Sequence, residues 1–141
     1  EAPNDGILEE ARVLLVVSDT NPYLSEGTKA ALRHAVGLTA ASEGHVTAMV
    51  LPVSAADAPA INTTVLQTTL RWWLRESGLG EDQYDELLPQ EVAVTAAAVA
   101  DAADELGSTQ VVVSADSVAR KDLDVSLLAT FLNCPLTMVP E

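Results

Sequence analysis

Arg12-Val13-Leu14-Leu15-Val16-Val17-Ser18-Asp19 is the most informative segment of the chain. Five aliphatic residues run without a polar interruption, and three of them are β-branched. A strand with one wet face would alternate; an unbroken run bounded by turn residues reads as a strand covered on both faces, as in a parallel sheet. The run ends at Ser18-Asp-Thr-Asn-Pro22, which is dense in turn formers. Upstream, Glu1 to Glu10 is acidic, contains Pro3 and Gly6, and reads as a flexible tail. The expected folded domain therefore spans 11–141.

Downstream, the hydrophobic period changes to that of a helix. Ser25 is a candidate cap, Ala31, Leu32, Ala35, Val36 and Thr39 form the stripe, and Gly44 is the stop signal. Val46 to Val53 alternates and is expected to be a second strand. Asn62 reads as the cap of a helix with the stripe Leu66, Leu70, Trp73 and Leu74, closed by Gly78 and Gly80. Tyr84 to Leu88 is a short third strand. Val92, Ala96, Val99, Ala103 and Leu106 mark the next helix, with Gly107 just past its end. Gln110-Val-Val-Val-Ser114 repeats the buried-strand pattern. Val125, Leu128, Ala129 and Leu132 mark a last helix, and Leu136 to Val139 a last strand.

The order β-α-β-α-β-α-β-α-β requires parallel returns. Each needs a right-handed crossover, so the expected fold is a single doubly wound α/β domain: a five-stranded parallel sheet with helices on both faces. A chain of 141 residues at this size buries about 68–70% of its unfolded surface, enough for a core without covalent staples. Apolar residues are 48% of the chain but aromatics only 4%. The core is thus built of small and branched aliphatics.

Charge narrows the function classes. Twenty-one acids against seven bases leave a net charge of −14. That field repels phosphate backbones and anionic headgroups, so nucleic acid and membrane surfaces are not expected partners. One cysteine, Cys134, allows neither an internal disulfide nor a cysteine metal site. No apolar run approaches the ~20 residues of a membrane span. The expected localisation is cytoplasmic or organelle stroma, the Glu1 start being that of a trimmed or processed chain.

Three segments, in order, resemble the universal stress protein family. Arg12-Val-Leu-Leu-Val-Val-Ser-Asp19 and the Ala-rich helix after it are similar to the family's opening strand with its acidic end. Ala100-Asp-Ala-Ala-Asp-Glu-Leu-Gly107 with Gln110-Val-Val-Val-Ser114 is similar to its helix, Glu-Leu-Gly and buried-strand segment. Asn133-Cys-Pro-Leu-Thr-Met-Val-Pro140 looks like its closing strand. Ala55 to Gln90 adds nothing to the match. The resemblance implies the adenine nucleotide alpha hydrolase-like fold with sheet order 3-2-1-4-5. It implies a ligand crevice where the order reverses, between Ser18–Pro22 and Ser114–Lys121, and pairing of two copies through the last strand.

ATP-binding members of that family carry Gly, two residues, Gly, nine residues, then Gly with Ser or Thr after the fourth strand. Glycines let backbone N–H groups approach phosphates. Here no glycine occurs from Ser108 to Glu141, and Asp116, Asp122 and Asp124 put carboxylates where phosphates would sit, offset in part by Arg120 and Lys121. ATP binding in the usual mode, and any cofactor, is therefore not expected. Asp122-x-Asp124 lacks the glycine and distal glutamate of a calcium loop and reads as helix capping rather than a metal site.

Two functions remain open. One is a non-catalytic scaffold of this fold acting in the stress response through protein contacts, as a homodimer or a subunit of a larger assembly. Its candidate contact residues are Trp72, Trp73, Leu136, Met138 and Val139. The acidic run Glu81, Asp82, Asp85 and Glu86 reads as a solvated loop nearby. The alternative is a nucleotide-binding stress-response protein, with weak ATPase action, that uses an altered phosphate loop: Asp19 on the adenine side and the hydroxyls of Ser114, Ser117 and Ser126 toward phosphates. A thiol enzyme would rest on Cys134 alone, for neither His34 nor His45 stands in a catalytic pairing with it.

Overall fold

In a computed structural model, residues 11–18, 23–40, 44–50, 63–87, 96–115 and 124–140 are described. Five strands form one sheet: β1 (Arg12–Val17), β2 (His45–Val50), β3 (Tyr84–Leu87), β4 (Gln110–Ser114) and β5 (Leu136–Val139). Four helices accompany them among the described residues: α1 (Glu26–Ala40), α2 (Thr63–Glu76), α3 (Ala96–Leu106) and α4 (Val125–Phe131). A 3-10 turn, Glu81–Gln83, leads into β3. The sheet order is β3-β2-β1-β4-β5, and each neighbouring pair is parallel.

The unbroken aliphatic run of β1 is explained by the layers. Val13, Leu15 and Val17 point into one core with α1, α2 and the Val46, Ala48 and Val50 side of β2. Leu14 and Val16 point into a second core with Met49, Val111, Val113, α3 and Leu128 of α4. Five of the six β1 residues are buried. β2 differs from its expected alternation: Val46 to Val50 are all buried, because both its faces are also covered. The polar member of that pattern, Thr47, is 8% exposed. Residues 51–53 and the Asn62 cap lie outside the described residues, as does Val92.

The helix stripes bury as their spacing requires. Leu66, Leu70 and Leu74 of α2 are at most 3% exposed, and Trp73 packs on the same core. Gly107, at φ +64°, ends α3, where the left-handed turn favours a residue without Cβ. In α4 only Leu128 is buried; Ala129, read as part of the stripe, is exposed. Gly44 has a role beyond stopping a helix. A Cβ there would run into the backbone carbonyl oxygen of Ala11, which accepts a hydrogen bond from the His45 N–H at 2.8 Å. The glycine lets the start of β2 close onto β1.

Candidate functional site

Crossovers on opposite sides of the sheet create a crevice. β1 is followed by α1, on the first core, and β4 is followed by α4, on the second. The carboxyl ends of the adjacent strands β1 and β4 therefore form the point where strand order reverses, the place where open α/β sheets take ligands. Ser18 and Ser114 lie at these ends and are 1% and 2% exposed. Each has an interaction partner, as buried hydroxyls require. Leu24, just before α1, holds φ +68° with its side chain 2% exposed. A non-glycine residue in that region costs about 1 kcal/mol, offset here by burying leucine.

Of the residues expected at this crevice, Ser114 stands at the strand end as read. Ser126 is exposed in the first turn of α4, where its carbonyl accepts from Thr130 Oγ1 at 3.0 Å. Asp19, Ser117, Asp116, Arg120, Lys121 and Asp122 lie outside the described residues. Ser18, expected in the crevice wall Ser18–Pro22 but not among the candidate nucleotide contacts, is the second hydroxyl at the strand ends. Its signal was its place directly after the buried run. Asp124 caps α4, its Oδ1 accepting from the Leu127 N–H at 3.1 Å. Among the described residues, no group of three His, Cys, Asp or Glu is placed to hold a metal ion.

A cavity of about 250 Å³ opens at the other end of the strands, lined by Arg12, His45, Asp85, Leu106 and Ser108 among others. There His45 Nε2 lies 3.2 Å from Asp85 Oδ2. His34 is exposed on α1. Cys134 is half-buried against the second core, and burial, with Asp104 nearby, pushes its thiol up from the ordinary range. An activated nucleophile needs the opposite shift.

The acidic run before and in β3 is not a loop. Asp85 is exposed, but Glu86 turns inward, with 12% of its side chain accessible, and pairs with Arg71 of α2. The alternation of an edge strand separates the two carboxylates, a period-two pattern that four acids in six residues concealed.

Among the described residues, β5 is the edge strand of the sheet beside β4. None of its residues is fully buried. Leu136 packs on the second core and Val139 on the first, while Met138, on the Leu136 face, is 51% exposed. On that same side of the sheet, α4 leaves Leu127 and Phe131 exposed at 48% and 47%. These two were missed in the sequence. The available signal was charge: Val125 to Pro140 contains no Asp, Glu, Lys or Arg, in a chain where one residue in five is charged.

The two tryptophans of α2 divide their roles. Trp73 is partly buried on the first core, and Lys29 Nζ of α1 sits 5.0 Å from its ring centroid. Trp72 is 54% exposed and meets Trp73 edge-on, with ring centroids 5.0 Å apart. Among the described residues, no helix is long and apolar enough to cross a membrane.

No protein-family model matches this sequence, and no curated protein matches it either. Solved structures do. A universal stress protein from Archaeoglobus fulgidus superposes with a TM-score of 0.65 at 18% identity, over 96% of each chain. The structure of the universal stress protein from that organism in complex with dAMP gives 0.60 at 18% identity, covering 92% of this chain and 97% of the other. A universal stress protein in complex with cAMP gives 0.63 at 14% identity, covering 92% and 96%. The fold and strand order implied by the three sequence segments are therefore those of the universal stress proteins.

Proposed function

We propose that this chain is a non-catalytic domain of the universal stress protein fold that acts through protein contacts, pairing with a second copy through β5. The observation that carries this reading is the charge-free segment 125–140, which places exposed Leu127, Phe131 and Met138 on the side of the edge strand. An exposed edge with apolar neighbours is a liability unless another chain covers it. Each copy carries −14, so two copies approach with least repulsion where neither has charge. Trp72, on the far face, is left for other partners.

Light scattering at micromolar concentration tests the reading. The expected result is a dimer or larger species that Met138→Glu or Phe131→Glu converts to a folded monomer. A wild-type monomer at about 50 µM, a concentration that populates any biologically useful self-association, would remove the proposal.

A second reading, nucleotide binding by an altered loop, is favoured by the dAMP and cAMP complexes of the similar structures. Ser18 and Ser114 supply buried hydroxyls at the strand ends, with Asp19, Ser117 and Ser126 the further candidates. A mononucleotide asks less of a glycine cradle than ATP does, since it has no β- or γ-phosphate to wrap. Acid extraction of the purified protein, then calorimetry with AMP, cAMP and Mg-ATP, decides it. An affinity tighter than ~100 µM (about −5.5 kcal/mol) would put this reading first.

A further inference from the structure

Charge is not spread evenly over the two faces of the sheet. Helices α1 and α2 carry Lys29, Arg33, Arg71 and Arg75 against Glu26 and Glu76, a formal excess of two positive charges. With −14 overall, the rest of the chain carries sixteen net negative charges. Four of the seven basic residues thus stand on one helical layer.

Helical spacing brings the basic residues of α2 together with its exposed tryptophan. Arg71 and Arg75 are one turn apart, and Trp72 lies three residues before Arg75, so all three share the outer face of α2. The opposite face holds Leu66, Leu70 and Leu74 in the core. Lys29 of α1 reaches the Trp73 ring across the seam between the helices, and Arg33 follows Lys29 by one turn. Arg71 is paired with Glu86, though half its side chain remains accessible. Among the described residues, neither Arg33 nor Arg75 has an ion-pair partner. Arg75 also suits the C-terminal dipole of α2, but that does not account for an indole held outside the core beside it.

We propose that the outer face of α1 and α2 docks an acidic segment of another protein that also carries an apolar side chain. Trp72 receives the apolar group, and Arg33, Arg71 and Arg75 receive the carboxylates, Arg being suited to both stacking and bidentate pairing. Charge complementarity chooses this occupant over a basic one. The acidic remainder of the molecule does not forbid it, because fields are screened beyond about 8 Å at physiological salt. The surface lies across the sheet from Leu127 and Phe131, so the inference stands apart from self-pairing through β5.

Trp72 and Trp73 are the only tryptophans, so their emission reports directly on the site. The full chain is titrated, at about 0.15 M salt, with a synthetic tryptophan-free peptide of about a dozen residues in which glutamates flank a Leu-Phe pair. The same peptide with lysines for glutamates is the control. A saturable emission change with the acidic peptide is expected, weakened about tenfold or more by Arg33→Glu with Arg75→Glu. Trp72→Ala, followed by calorimetry, is expected to weaken binding to a similar degree. All three positions are on the surface, and an unchanged thermal melt shows that the variants fold. Equal binding of the lysine peptide, no saturable response, or unaltered affinity in the charge-reversed variant would overturn the proposal. So would loss of self-association in that variant, which would assign the face to a second copy.

Discussion

Arg71 on α2 and Glu86 on β3 form an ion pair across the edge of the sheet, the guanidinium half exposed and the carboxylate mostly covered. The hydrogen bond to Glu86, before its charge, holds the guanidinium above its ordinary range. The other carboxylate oxygen, Oε2, is buried and has no hydrogen-bond partner among the described residues. The pair is therefore asymmetric: Glu86 depends on Arg71 more than Arg71 depends on Glu86.

That asymmetry predicts unequal costs. Arg71→Ala leaves a covered carboxylate with neither oxygen paired and is expected to cost about 1–3 kcal/mol. Combining Arg71→Met with Glu86→Leu removes the stranded charge and should recover most of that loss. Urea denaturation of the two variants measures both values. Equal destabilisation would mean that the carboxylate is hydrated after all.

Two glycines should respond with opposite signs. Gly44→Ala drives a Cβ into the Ala11 carbonyl, a backbone group that cannot swing aside, and is expected to lose about 1–3 kcal/mol. Gly37 lies mid-helix in α1, exposed, with no atom within 4 Å of the place a methyl would take, so Gly37→Ala should gain about 0.5–1 kcal/mol. Thermal melts of the pair check both.

Asp124 separates capping from cation binding. Asp124→Asn keeps an oxygen for the Leu127 N–H and should leave stability within about 0.5 kcal/mol, whereas Asp124→Ala should cost about 1 kcal/mol. A calcium- or magnesium-dependent rise in the melting temperature that Asp124→Asn abolishes would contradict the capping role.

The Cys134 thiol should resist alkylation in the folded state. Burial raises its pKa, so the folded protein keeps the proton to higher pH than the unfolded chain. The associated stability is complete below the unfolded thiol's pKa and is lost as pH rises through the folded value. Iodoacetamide kinetics between about pH 7 and 10, above and below the ordinary thiol pKa of ~8.5, should show a midpoint above that value. A midpoint below it would reopen the thiol-enzyme reading.

Much of the architecture follows from local patterning. Continuous aliphatic runs at Arg12–Val17 and Gln110–Ser114 mark strands covered on both faces, and the stripes of α1, α2 and α3 mark the sides that cover them. Burial of a strand or a helix face is encoded in the spacing of its own residues, so each could be read from the sequence. Alternation of the two element types then leaves a parallel sheet as the arrangement that satisfies every crossover.

Relationships between distant segments emerge with the folded packing. No local pattern states that Glu86 turns inward to Arg71, that Gly44 is required by a carbonyl 33 residues earlier, or that Ser18 and Ser114 are both buried at the ends of adjacent strands. The exposure of Leu127, Phe131 and Met138 is of the same kind, for an apolar residue looks alike in sequence whether or not something covers it. Which faces must be hidden and which turns must bend is written in the chain locally, because those are properties of neighbouring residues. Which residues meet across the sheet, and which apolar side chains are left without a cover, depends on register and packing, and these exist only once the chain has closed on itself.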